Sequence, residues 1–252
     1  VKKKSKFAAG IFAGAFVLAV SCFIAFEFGK GSDKGKSGEL EEVQNESILG
    51  EETAVIALSE GEVRCDFSSA AAVPSLVPLA DFLIKEIKEE ENVSEAAAFY
   101  LRKEEISVYR GLDGLAGGSV LGVGTDFFPA AGLMVEKGRG ITEKDILEQK
   151  RVAVLNDRAA MQLFYEKEAI GEALEIEGKL FQVVGIVGTY DETQLGGLVL
   201  VPDSTWPQLY QYEEPKAVAL QSKNELQKAA DHAERILNSM ISEESTVWYK
   251  IQ

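Results

Sequence analysis

The stretch EKGRGITEKD, residues 136–145, sets an arginine between two glycines and then a threonine three positions ahead of an aspartate. Glycines beside a cation can turn backbone N–H groups toward an anion, so these residue types permit a phosphate or carboxylate cradle. The same letters also spell a helix start. Thr142 and Asp145 have the spacing of a capping box, with Asp where Glu or Gln is usual, and Ile141 stands at the position of a hydrophobic staple. Gly138 and Gly140 would allow a tight turn, and Arg139 would pin it through a carboxylate or a backbone carbonyl. The structural reading is preferred.

Other chemistry-bearing residues are worse placed. GKGSDKGKSG, residues 29–38, ends in a Gly-Lys-Ser-like turn, but Lys30 stands where a phosphate-binding loop needs its first glycine. Nucleotide binding is not expected, and ATP energy would come from another chain. The glycines of GGSVLGVGTDF, residues 117–127, lack the dinucleotide spacing and read as close strand contacts or bulges. Glu104 and Glu105, or the acidic run at 89–91, could in principle supply acid and base groups, yet solvated turns and helix ends account for them. No Gly-x-Ser-x-Gly occurs, and the single histidine, His232, sits in a polar helical pattern with no clustered ligands for zinc. No catalytic, cofactor-binding or metal-ligating residue is assigned, and no cofactor is expected.

The elements that hold these residues follow from composition and periodicity. The chain has 252 residues, 46% of them hydrophobic, enough to bury a core in one large domain or two small ones. Four lysines among the first six residues precede an uncharged 20-residue run, residues 7–26, which matches the roughly 20 needed to span a bilayer as a helix. A retained anchor is the preferred reading. A cleaved leader is the rival, since AVSC at residues 19–22 faintly resembles a lipoprotein cleavage box. The lysine bias predicts a cytoplasmic N-terminus and an extracytoplasmic main domain. Without the first six residues 22 basic groups face 41 acidic ones, a net charge of −19, so nucleic acid is not an expected partner. Cys22 lies in the apolar run and Cys65 beyond it; Cys65 reads as a small buried hydrophobe.

Residues 30–52 are poor in large apolar side chains and read as a tether. Beyond it, residues 51–65 read as strand, turn at Gly61, strand; Leu76, Leu79, Leu83 and Ile87 then mark a helix. VSEAAAFYL, EISVYRG and GGSVLGVG read as three strands, and their short connections favour antiparallel pairing. From about Thr125 come a short aromatic turn, a helix at 143–149, and the buried strand RVAVL at 151–155. Asn156 or Asp157 then caps a helix with Ala160, Leu163 and Phe164 on one face. Two strands meet at a tight Glu-Gly-Lys turn, a polar loop covers 189–197, and GLVLVP is a strand. The remainder reads as a strand (AVALQS), a helix capped by Asn224, and a last strand (STVWYKI). This order predicts an α+β fold, a two-lobed mixed sheet and helix domain behind one N-terminal transmembrane helix. The expected organisation is 1–28 anchor, 29–50 linker and 51–252 outer domain, with lobes at about 51–124 plus 203–252 and at 125–202.

In order and spacing, GRGITEKD, RVAVLNDRAAMQLF, AIGEALEIEGKLFQVVGIVG and GLVLVP resemble the MacB-like periplasmic core domain of MacB/FtsX-type ABC transporter permeases. The matching positions are Gly138, Arg139, Gly140, Thr142, Asp145, Leu163, Phe164, Ile170, Gly171, Gly178, Phe181 and Gly185; Ala169 departs from the proline commoner there. The resemblance implies structural roles for these residues. It further implies a non-catalytic, membrane-anchored outer component of an export or lipoprotein-release complex, with a separate ABC ATPase, a multi-span permease partner and a possible homodimer. The family continues into three more membrane helices, so a chain stopping at Gln252 would be a split, truncated or stand-alone relative. The alternatives are a secreted or lipid-anchored binding protein without an ATPase, and an extracytoplasmic hydrolase.

Overall fold

A computed structural model describes residues 52–60, 79, 81–102, 106–165, 167–188, 196–210, 216–241 and 247–251. The expected anchor, the linker up to residue 51, both cysteines, the Gly61 turn with its following strand, Leu76, Glu104, Glu105 and most of the 189–197 loop lie outside these residues. No helix among the described residues is long and apolar enough to cross a membrane.

The strands are β1 (Thr53–Glu60), β2 (Val93–Arg102), β3 (Val108–Arg110), β4 (Asp113–Gly114), β5 (Ser119–Val123), β6 (Val135–Gly138), β7 (Val152–Asn156), β8 (Ala173–Ile176), β9 (Lys179–Val187), β10 (Leu198–Pro202), β11 (Ala217–Ser222) and β12 (Val247–Ile251). The α-helices are α1 (Asp81–Lys88), α2 (Phe127–Ala130), α3 (Glu143–Leu147), α4 (Asp157–Phe164), α5 (Trp206–Leu209) and α6 (Leu226–Asn238). All the strands join one sheet in the order β12-β1-β11-β2-β5-β10-β7-β9-β8-β3-β4, with β6 added beside β9. The pairs β5–β10 and β7–β9 are parallel and the rest antiparallel, so the molecule is an α+β domain built on a mixed sheet.

Two-residue alternation decides what each face buries. Along β11, Ala217 and Ala219 join one apolar cluster while Val218 and Leu220 join another; along β10, Leu198 and Leu200 part from Val199 and Val201 in the same way. One face carries a single cluster that runs from Val55 through Phe99 and Leu121 to Val154 and Leu200, with Phe127 and Phe128 of α2 laid over it. The opposite face carries two. α1 and α6 cover Ile56, Ala96, Val218 and Leu220, whereas Leu163 and Phe164 of α4 sit among Leu155, Phe181, Val183 and Val199.

Several local expectations are corrected. The run EISVYRG yields β3, which does not pair with its sequence neighbour β2; it pairs with β4 and with β8 at the far end of the sheet. Glu177 explains the placement, because its backbone N–H donates to the Ser107 carbonyl and its carboxylate accepts the Ser107 N–H at 2.8 Å. In α4 Asn156 is the cap, and Ala160 packs half-buried against the same cluster as Leu163 and Phe164, as expected, with Ala159 fully buried beside it. α6 is capped at Glu225, in the left-handed region at φ 51°, and not at Asn224, whose carbonyl is taken by the Ser222 hydroxyl.

Candidate functional site

The 138–145 segment leaves β6, runs beside β9 and enters α3. Gly138 has φ 71°, and a Cβ there would lie 2.3 Å from the Val184 carbonyl oxygen and 2.9 Å from Ile170 Cδ1. Gly185, across the strand pair, would place a Cβ 2.1 Å from the Arg139 carbonyl oxygen. These two glycines let two backbones touch, a contact no side chain could share. Gly140 has no such need, for its nearest neighbour would be 3.5 Å away.

Arg139 folds back on the helix it precedes. Its guanidinium donates to Asp145 Oδ2 at 2.6 Å, to Asp145 Oδ1 at 3.2 Å and to the Gly140 carbonyl at 2.9 Å. Asp145 is 1% exposed. It also accepts from the Thr142 N–H at 3.0 Å and the Thr142 hydroxyl at 2.6 Å, while its own N–H donates to Thr142 Oγ1 at 3.3 Å, closing the capping box. Lys150 Nζ stands 3.9 Å from the same carboxylate. Burial by itself would raise the carboxyl's pKa. The hydrogen bonds from Arg139 and Thr142 and the guanidinium charge outweigh it and hold the group below the usual carboxylate range. An arginine committed in this way offers little to a bound anion.

The structure gathers Gly138, Arg139, Gly140, Thr142, Asp145, Ile170 and Gly185 around this turn. Leu163, Phe164 and Phe181 lie instead in the core beneath α4, where each is fully buried. Gly171 and Gly178 occupy turns, at φ 88° and 73°, and Gly178 with Glu177 forms the β8–β9 hairpin tip. His232 Nδ1 lies 3.6 Å from Glu90 Oε2 and 3.1 Å from Arg235 Nη2 on the flank of α6. Beside α3 a surface depression of about 580 Å³ is lined, among the described residues, by Glu143, Lys144, Ile146, Leu147 and Glu148.

Two contact centres carry more of the structure than their local sequence suggests. The carboxamide of Asn156, fully buried, accepts from Ala159 N–H at 2.9 Å and Leu198 N–H at 2.8 Å and donates to the Gly196 carbonyl at 3.2 Å. Its capping role is readable from the sequence; its bonds to residues 40 and 42 positions away leave no local signal. Gly122 lies under Trp206, whose ring stacks on Tyr100 with centroids 5.0 Å apart and tilts against Tyr210 at 4.6 Å. Arg102 sits over the Tyr210 ring and Lys216 over Tyr100.

Fold and site together define a mixed-sheet scaffold domain in which the singled-out polar groups bind one another. The family model of the MacB-like periplasmic core domain matches residues 28–236, and the chain belongs to that family. Among curated relatives, it is 28% identical over 178 residues to the uncharacterized ABC transporter permease YvrN of Bacillus subtilis, covering 67% of this chain and 43% of the relative. It is 34% identical over 83 residues to the macrolide export ATP-binding/permease protein MacB of Chromobacterium violaceum, covering 33% of this chain and 13% of that one. The chain thus spans less than half the length of these relatives. Its fold is like that of the extracellular domain of the noncanonic ABC-type transporter YknZ from Gram-positive bacteria (TM-score 0.54, 16% identity, covering 79% of this chain and 99% of that one). It is equally like the periplasmic region of MacB from Actinobacillus actinomycetemcomitans (TM-score 0.54, 18% identity, covering 83% and 92%).

Proposed function

We propose that this chain is the extracytoplasmic part of an ABC-type export or lipoprotein-release permease, held by an N-terminal membrane helix and passing ATPase-driven motion to the outer side without catalysing a reaction itself. The observation that carries the reading is the family match across residues 28–236, which takes in nearly all of the described sheet. Two features support it. The family-matching polar residues are engaged with one another, as a transmitting element requires, and β1, which follows the proposed anchor and linker, lies in the sheet between β11 and β12. A displacement of the anchor would therefore reach both strands through backbone hydrogen bonds. On this reading residues 1–28 are the anchor with a cytoplasmic start and 29–50 the linker. The proposed lobes remain 51–124 plus 203–252 and 125–202; the cluster under α1 and α6 lies within the first, whereas the cluster under α4 draws on both, with Val108, Val120 and Trp206 from the first.

A separate ABC ATPase and a multi-span permease subunit are the proposed partners; relatives named as ATP-binding/permease proteins support this. The test is a gentle-detergent pull-down of the tagged full chain from its native membranes, with co-purifying proteins identified by mass spectrometry. Recovery of an ATPase with a multi-span membrane protein is expected. Recovery of the chain alone, with a known transporter complex retained as a control, would replace this reading with a stand-alone binding protein. Protease accessibility of sealed membranes checks orientation, and a domain digested only from the cytoplasmic side would overturn it.

A further inference from the structure

His232, the one histidine of the chain, holds a single ring nitrogen between a group that can only donate and a group that can only accept. Its Nδ1 lies 3.1 Å from Arg235 Nη2, one turn along α6, and 3.6 Å from Glu90 Oε2 in the turn between α1 and β2. Beside the guanidinium Nδ1 must accept, so the ring in that pairing is neutral and carries its proton on Nε2. The carboxylate stands beyond hydrogen-bond distance and within ion-pair distance, and it has no proton to accept until Nδ1 acquires one. With the His232 and Glu90 side chains 25% and 23% exposed, solvent screens the pair only in part. The backbone of the turn is already fixed: Glu90 N–H donates to the Ile87 carbonyl at 3.2 Å, the Glu90 carbonyl accepts from Val93 N–H at 3.0 Å, and Lys223 N–H donates to the Asn92 carbonyl at 2.8 Å. Changing partners therefore needs only side-chain rotation.

The elements packed on α6 are α1, β1, β11 and β12. The strands meet it with Ile56, Val218, Leu220 and Tyr249, whose hydroxyl is pushed up to about 12 by burial and so stays neutral. The charged groups of α1 and β12, Asp81, Lys85, Glu86, Lys88 and Lys250, are exposed, and Lys88 pairs with Glu95 at 2.7 Å. On α6 itself Lys228 pairs with Glu225, Asp231 accepts from Gln227, and Glu234 accepts the Ile251 N–H. Among the described residues, Glu90 and Arg235 are the charges in contact with the imidazole.

We infer that His232 is a proton-operated tie: neutral, it accepts from Arg235 within α6; protonated, it is repelled by Arg235 and donates to Glu90, fastening α6 to the turn that follows α1. Imidazole changes charge between about pH 5 and 8. The stability that the tie adds is present at the acidic end and lost as pH rises, as for any histidine that gains a partner when protonated. α1 and α6 together cover Ile56 of β1, so acidification tightens both helices over the strand that follows the proposed anchor and linker. That consequence rests on the extracytoplasmic placement proposed above; the chemistry of the tie does not.

The experiment uses the full chain in detergent with isotope-labelled histidine, whose single imidazole gives one set of ring-nitrogen signals by NMR. At about pH 8 these should show a neutral ring protonated on Nε2. Urea unfolding at about pH 5 and about pH 8 then reads two double-mutant cycles, His232→Ala with Glu90→Gln and His232→Ala with Arg235→Gln. The first pair should be coupled by about threefold in the unfolding constant at the acidic pH and not measurably at the alkaline one. Coupling of the second pair should weaken or turn unfavourable on acidification. A neutral ring protonated on Nδ1, a Glu90 coupling that is absent at the acidic pH or equal at both, or an Arg235 coupling that does not weaken would each overturn the inference. Neither measurement depends on where the domain sits, so this result and that of the pull-down fail separately.

Discussion

Asp145 concentrates the consequences of the turn in one side chain. It is buried, accepts from Arg139 and Thr142, and is held ionised. Because its folded pKa lies below its unfolded one, it stabilises the fold fully above the ordinary Asp value of about 4, and that contribution is lost as pH falls through the depressed folded value. Urea titrations at descending pH should therefore show a steeper acid loss of stability in wild type than in Asp145→Asn. At neutral pH, Asp145→Ala should cost about 3–5 kcal/mol, because it leaves the guanidinium and the cap without their acceptor. Arg139→Ala, at a site half open to solvent, should cost about 1–3 kcal/mol. Asn156→Ala removes a cap and strands the buried Leu198 N–H, for a loss of about 2–4 kcal/mol. Thermal or urea unfolding of each variant gives the comparison.

At the scale of elements, β6 and β9 depend on glycine at two facing positions and not at a third. Gly138→Ala and Gly185→Ala should each destabilise by about 2–3 kcal/mol or more, whereas Gly140→Ala should change stability by about 0.5 kcal/mol or less. Chemical denaturation of the three variants separates them. The sequence makes the local part of this region legible: the Thr142–Asp145 spacing is a helix-start signal that needs only neighbouring residues. It is silent on why Gly185 must be glycine, because the atom in its way belongs to Arg139, 46 positions earlier. β3 shows the same limit. Its periodicity reads correctly as a strand, but its place beside β8 is set by Glu177, a residue of another hairpin. The α4 cap is legible as one of two adjacent candidates, and Asn156 takes it, with Ala160, Leu163 and Phe164 on one face.

For the whole molecule, the run of branched residues along β10 and the alternation of alanine with branched residues along β11 predict strands but not that they lie in one sheet. That continuity has a measurable result. A single apolar cluster spans one face, so the outer domain should unfold in one cooperative transition despite having two clusters on the other face. Trp206, under α4's side of the sheet, and Trp248, on the terminal strand, are separate reporters. Fluorescence of Trp206→Phe and Trp248→Phe chains in urea should give the same midpoint once each variant's own stability change is subtracted, and two distinct midpoints would mean that the lobes fold independently.

The neighbours of β1 also bear on how the domain comes into being. Residues 53–60, the earliest strand made among those described, pair among the described residues with β11 and β12, whose residues are synthesised more than 150 positions later. Such long-range closure is slow, since the chain must pay the entropy of bringing distant segments together before the contacts form. During synthesis the two strands that flank β1 in the described sheet are missing until nearly the whole outer domain has emerged. The nascent protein therefore has a prolonged interval in which an apolar strand is open to misassembly, and an extracytoplasmic holdase acting in that interval would raise its yield more than one acting on the finished fold.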